Sequence, residues 1–127
     1  MITRKQLEKR VNKGVEFLNK VKPNWLKKIK PTKLNMEFPD DCILGQVYGN
    51  YYKGVEKLDP NIKNEWGYRN MSFDFGSKYG FAFSTKDVQK YFVNNDVMND
   101  EVQSEHVALA QLTEIWRNKI SELRKVA

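Results

Sequence analysis

Cysteine and histidine each occur once in this chain of 127 residues, as Cys42 and His106. Between them they offer the only plausible nucleophilic pair: a thiolate to attack and an imidazole to take its proton. Cys42 stands in the first turn of an expected helix, where the dipole favours a thiolate. Asp40 and Asp41 immediately precede it, however, and oppose a second negative charge. His106 falls on the apolar stripe of an expected C-terminal helix, the usual setting of a hydrogen-bonded core histidine. Cys42 is therefore expected to be a small buried hydrophobe, and no catalytic residue is assigned. One Cys and one His cannot fill a structural zinc sphere. The sequence has no Walker loop, Gly-rich dinucleotide fingerprint or EF-hand spacing, and its carboxylates form no evident acid–base pair. No enzyme activity, metal or cofactor is expected.

The same stretch, "DDCILGQVYGNYYKG", carries a second pattern. Gly45 and Gly49 are spaced i and i+4, so on one helix they share a face and let another backbone come close. Two interior glycines cost about 1 kcal/mol each relative to Ala, which a packing role would explain. A central helix from Asp40 or Asp41 to about Lys53, stopped by Gly54, is expected to receive the terminal helices there. The sharper alternative is a groove for a ligand or partner peptide.

Charge singles out another region. Residues 1–33 hold eleven Lys or Arg against Glu8 and Glu16, a net of +9; residues 34–127 hold eleven basic and fourteen acidic side chains, a net of −3. Thr3 and Gln6 form a capping box ahead of Leu7, Val11, Val15, Leu18 and Val21, whose spacing predicts an amphipathic helix over about 4–21. Lys5, Lys9, Lys13 and Lys20 lie off its apolar stripe, and Lys27 and Lys28 follow beyond Pro23 in a short helix whose Trp25, Leu26 and Ile29 face inward. These six lysines are the candidate partner-binding residues. They suit an acidic protein surface or nucleic acid, and the alternative is a solvated helix face.

The remaining elements follow from local signals. Pro31 and Pro39 bracket an expected extended connection, and 55–70 reads as a loop with a turn at Asp59-Pro60. "MSFDFGSKYGFAF" alternates aromatic and small residues about Gly76-Ser77-Lys78, which predicts a small β-hairpin near 71–83. Its aromatics are expected to cover a core, although on a sheet they could stack bases. Ser84 or Thr85 caps a short helix through Phe92. From Asn99 or Asp100, the residues Val102, His106, Leu109, Leu112, Trp116, Ile120 and Leu123 mark a long C-terminal helix, with Arg117, Lys119, Arg124 and Lys125 suited to its dipole. The fold class is mostly α (α+β): a compact helical domain, 1–127, with that long helix and the small hairpin.

Composition agrees. Hydrophobic residues make up 40% and charged residues 30%, with three Trp, six Tyr and seven Phe, enough for a globular core. A lone thiol suits a reducing cytosol. "MITRKQLEKRV" lacks the apolar core of a signal peptide, and the longest aliphatic stretch, Val107–Ala110, is far short of a membrane span. A soluble, cytoplasmic protein without membrane partners is expected, which leaves the sequon at Asn70-Met71-Ser72 without meaning.

The segment Cys42-Ile43-Leu44-Gly45-Gln46-Val47-Tyr48-Gly49, with Trp25-Leu26 before it, Gly80-Phe81 after it and Leu112-Thr113 and Trp116 near the end, resembles small phage and prophage proteins, many from actinobacteria. These place a Cys-Val/Ile-Leu-Gly-Gln-x-Tyr/Phe-Gly segment in mid-chain and Leu-Thr-x-x-Trp near the C-terminus. The likeness covers most of residues 15–120, with only Cys42–Gly49 specific. The chain is longer than those relatives between Lys57 and Tyr79 and between Thr85 and Val107. The resemblance implies a phage-type accessory protein and no functional residues. Small proteins of that class often act by stoichiometric binding to a bacterial host protein, as takeover factors or defence inhibitors. A nucleic-acid-binding accessory protein using the basic first third is the alternative.

Overall fold

Thr3 opens the first helix by the expected device. Its hydroxyl accepts the Gln6 N–H at 3.1 Å, and the Gln6 side chain accepts the Thr3 N–H at 2.9 Å. The structure, a computed structural model, describes residues 2–59, 61–62, 68–87 and 101–126, with backbone alone at 68–70 and 101–104. Helix α1 spans Arg4–Val21 and buries Leu7, Val11, Gly14, Val15 and Leu18. Helix α2, Trp25–Lys28, follows Pro23. Trp25 and Ile29 are buried and Leu26 half-buried; the Trp25 indole donates to the Asn19 side chain at 2.8 Å.

The connection from Pro31 to Pro39 is a succession of turns rather than extended chain. Leu34 N–H bonds the Pro31 carbonyl and Phe38 N–H the Asn35 carbonyl, both at 3.2 Å. Folding back this way buries Leu34 and Met36, which an extended path would leave in water.

One expected central helix is two helices, α3 (Ile43–Tyr48) and α4 (Tyr51–Leu58). Gly49 has φ +94°, the left-handed cap that ends α3, and the Asn50 side chain then starts α4 by accepting the Tyr52 N–H at 2.8 Å. Neither Asp40 nor Asp41 caps α3; the Cys42 sulfur does, accepting the Gly45 N–H at 3.3 Å. Gly54 is not a stop either. It is buried inside α4, where a Cβ would sit 3.1 Å from Leu44 and Tyr48, so its bareness lets α3 and α4 close on each other.

The expected hairpin near 71–83 is overturned. Residues Tyr68–Ser77 form helix α5, residues 78–80 a turn, and no strand occurs among the described residues. Among the described side chains of α5, those that are buried are Ser72 and Gly76, at helical spacing. Phe73 leans on Tyr51 and Tyr52, whereas Phe75 leans on Phe17 and Tyr79. The aromatics thus flank a stripe of small residues, a pattern that mimics period two. Ser84 does cap the next turn, accepting the Asp87 N–H at 3.1 Å while Asp87 accepts the Ser84 N–H at 3.0 Å. The expected continuation to Phe92 and the start of the last helix at Asn99 or Asp100 lie outside the described residues.

Helix α6, Glu101–Lys125, buries Ala108, Leu112, Ile115, Trp116 and Ile120. Trp116 is the keystone: it stacks on Phe81 at 5.9 Å, meets Trp25 edge-on at 6.2 Å, and donates its indole N–H to the Gly80 carbonyl at 2.6 Å. Each such fully buried large side chain contributes roughly 1.5–3 kcal/mol. Arg117 and Arg124 fasten α6 to α2 and the segment after it. Arg117 donates to the carbonyls of Pro31 (3.1 Å) and Leu34 (2.8 Å), and Arg124 to those of Leu26 (3.0 Å) and Ile29 (2.6 Å).

Candidate functional site

Because Leu7, Val11, Val15 and Leu18 turn one side of α1 inward, helical phase puts Lys5, Lys9, Lys13 and Lys20 on the opposite side. All four are exposed, as are Lys27 and Lys28 on α2. None of the six has an ion-pair partner among the described residues. Glu16 lies on the same face, and Arg4 takes Glu8 and Glu114 at 3.3 and 3.6 Å. The lysine face therefore keeps most of its positive field.

Arg10 is bound very differently. Its two terminal nitrogens each donate to one oxygen of Asp87 at 2.9 Å, a bidentate pair. Burial alone would raise the Asp87 pKa, but the hydrogen bonds from Arg10 and Ser84 together with the Arg10 charge outweigh it and hold the carboxyl below its usual value.

Arg10 and Lys13 also share an open cleft of about 450 Å³ with Ser77, Lys78 and Tyr79. The cleft exists because the 78–80 turn sits directly on α1. At Gly14 a Cβ would come within 2.1 Å of the Tyr79 carbonyl oxygen, and at Gly80, φ +71°, within 3.0 Å of the Val11 nitrogen. The Tyr79 ring stacks on Phe17 at 4.4 Å. This contact carries Lys78 to the lysine face, a residue that sequence reasoning missed. Gly14 and Gly80 were the available signal, each marking a backbone approach, but not what approaches.

The nucleophilic pair does not assemble. Cys42 is buried, and its polar contacts are the Gly45 N–H and, at 3.6 Å, the Pro39 carbonyl. Burial pushes the thiol up to about 12 despite the lowering effect of the helix N–H groups, so it stays protonated at neutral pH. His106 is exposed, not a core residue, and its Nδ1 meets a Glu37 oxygen at 2.5 Å. The buried stripe of α6 passes through Ala108 and Leu112 and leaves His106 and Val107 outside. Neither do the aromatics of 73–83 offer a base-stacking sheet, since Phe73, Phe75, Tyr79 and Phe81 all contact other rings of the core.

The two glycines separate. A Cβ on Gly45 would lie 2.2 Å from the Pro39 carbonyl oxygen, so Gly45 is a packing site as expected, though the backbone it receives is the 39–40 turn rather than a terminal helix. Gly49 meets nothing within 4 Å and serves only as the helix stop. Gln46 adds a clamp: its amide bonds the Lys30 N–H at 2.6 Å and the Asp41 carbonyl at 3.0 Å. Beside Cys42 opens a cavity of about 390 Å³, walled by aromatic rings between the 36–42 turns, α4 and the 81–85 segment. Among the described residues, no helix is long and apolar enough to cross a membrane and no cluster of three or more His, Cys, Asp and Glu is suited to a metal. The chain matches no protein-family model, no curated protein and no solved structure.

Proposed function

We propose that this chain is a small phage-type accessory protein that acts without catalysis, binding stoichiometrically to a bacterial host protein with an acidic surface, as a takeover factor or defence inhibitor in the host cytoplasm. The observation that carries the binding role is the contrast on α1: its arginines are paired, while Lys5, Lys9, Lys13 and Lys20, with Lys27 and Lys28 beyond, stand exposed and unpaired among the described residues. Lysines on flexible stems act as point charges, which favour fast, steered association more than fixed geometry. A buried, protonated Cys42 and a His106 turned to Glu37 leave little for nucleophilic chemistry. The phage context rests on the resemblance carried by Cys42–Gly49 and by Leu112, Thr113 and Trp116.

Affinity capture from a nuclease-treated bacterial host extract tests this. Wild type should retain one protein at a fixed ratio, sensitive to salt, and the Lys5/Lys9/Lys13/Lys20→Gln variant should lose it, mainly through slower association. A partner held equally by the variant contradicts the proposal.

The cleft that sets Lys13 beside Lys78, with Ser77 and Tyr79 also in its lining, favours a second function, nucleic-acid binding through phosphates. Titration with duplex and single-stranded DNA at two salt concentrations distinguishes it. Replacing one phosphate-binding lysine by glutamine should flatten the salt slope by roughly one unit. Absence of binding near physiological salt eliminates it.

A further inference from the structure

The aromatic cavity uses none of the six lysines and has the opposite electrostatics. Its volume, about 390 Å³, lies within the range of small-molecule sites, roughly 300–1,000 Å³. Tyr51, Tyr52 and Phe73 form one wall, with ring centroids 5.5, 5.9 and 6.2 Å apart and interplanar angles of 87°, 35° and 52°. All three rings belong to the lining of the cavity. The wall is held in place: the Tyr51 hydroxyl donates to the Ser72 carbonyl at 2.5 Å, and a Cβ on Gly76 would lie only 2.1 Å from that hydroxyl.

Among the described residues, the charged ones that line the cavity are Glu37 and Glu105, with no Lys or Arg. In a chain of net charge +6 this is a local reversal. His106 engages one oxygen of Glu37, and Glu105 has no ion-pair partner among the described residues. An apolar aromatic chamber with two carboxylates at its edge rejects anions. It suits a molecule whose body is apolar and whose charge is positive, because ring faces attract cations and the carboxylates pair with them.

We propose that this cavity binds a small organic cation, a primary or quaternary amine on an apolar or aromatic body. The site is separate from the lysine face, so either can fail without the other.

Three probes of nearly equal size test it on the full chain: phenethylamine, 2-phenylethanol and phenylacetate, titrated by NMR with shifts followed at Tyr52, Phe73 and Leu109. Phenethylamine should bind about tenfold tighter than the alcohol, and phenylacetate should not bind. The Glu37→Gln/Glu105→Gln variant should lose the preference for the amine while keeping its affinity for the alcohol, which also shows that its cavity is intact. The lysine-to-glutamine variant should bind the amine as wild type does. The proposal is overturned if none of the three binds, if amine and phenylacetate bind alike, or if the preference survives loss of both carboxylates.

Discussion

Arg10, Arg117 and Arg124 direct their guanidinium groups into the molecule, whereas Lys5, Lys9, Lys13 and Lys20 point away from it. The charge is the same and the use is opposite. A guanidinium fits a carboxylate, or two carbonyls three residues apart, at once, so it can hold α1 to the 84–87 turn and α6 to the 26–34 segment. An ammonium on a flexible stem gains little from one exposed partner, and here these four have none among the described residues. The inner face of α1 and the arginines are thus structural, and the outer face is free to meet something else.

The largest effect should come from the inner face. Gly14→Ala would drive a methyl into the Tyr79 carbonyl oxygen and the Trp116 ring, displacing the turn that holds Phe81 and Gly80, at a cost of about 3 kcal/mol in chemical denaturation. Gly45→Ala meets the Pro39 carbonyl and should cost about as much. Gly49→Ala, left-handed but facing open space, should cost only about 1 kcal/mol. Equal losses at Gly45 and Gly49 would break the distinction between a packing glycine and a helix stop.

Arg10→Gln comes next, at about 2 kcal/mol, because it leaves the largely buried Asp87 carboxylate without its fork. The pH dependence has a definite sign. Asp87 titrates below its usual value in the folded state, so its contribution is present above the ordinary carboxylate range, about pH 4, and disappears as pH falls through the lower folded value. Asp87→Asn should therefore be less stable than wild type at pH 7, and the two stability curves should converge on acidification. Parallel curves would show that the pair contributes nothing.

Cys42→Ala removes a sulfur cap and a little core volume, with an expected loss of about 1 kcal/mol in urea unfolding. Native Cys42 should resist thiol reagents at pH 8 until the chain is unfolded; rapid labelling would contradict a buried, protonated thiol.

What was legible in the sequence follows the range of the forces involved. The α1 capping box, the stop before Pro23 and the long α6 rest on neighbours within a few residues, and they were legible. The 71–83 region was not, because the described residues that its helix buries are Ser72 and Gly76, small residues whose meaning depends on Tyr51 from another helix. Gly49 and Gly54 look alike in sequence, yet one ends a helix and the other lies inside one. The exposure of the lysine face followed from helical phase alone. Lys78 joining that face, Glu37 meeting His106 and the aromatic cavity all need tertiary contacts between residues far apart in the chain.

The most direct measurement compares wild type with the Lys5/Lys9/Lys13/Lys20→Gln variant, recording the thermal midpoint and the amount of host protein captured after nuclease treatment. Nearly coincident melting curves are expected, with a captured partner that is lost with the lysines, since exposed charges contribute little to folding. A variant that keeps its partner, or that melts well below wild type, would contradict this.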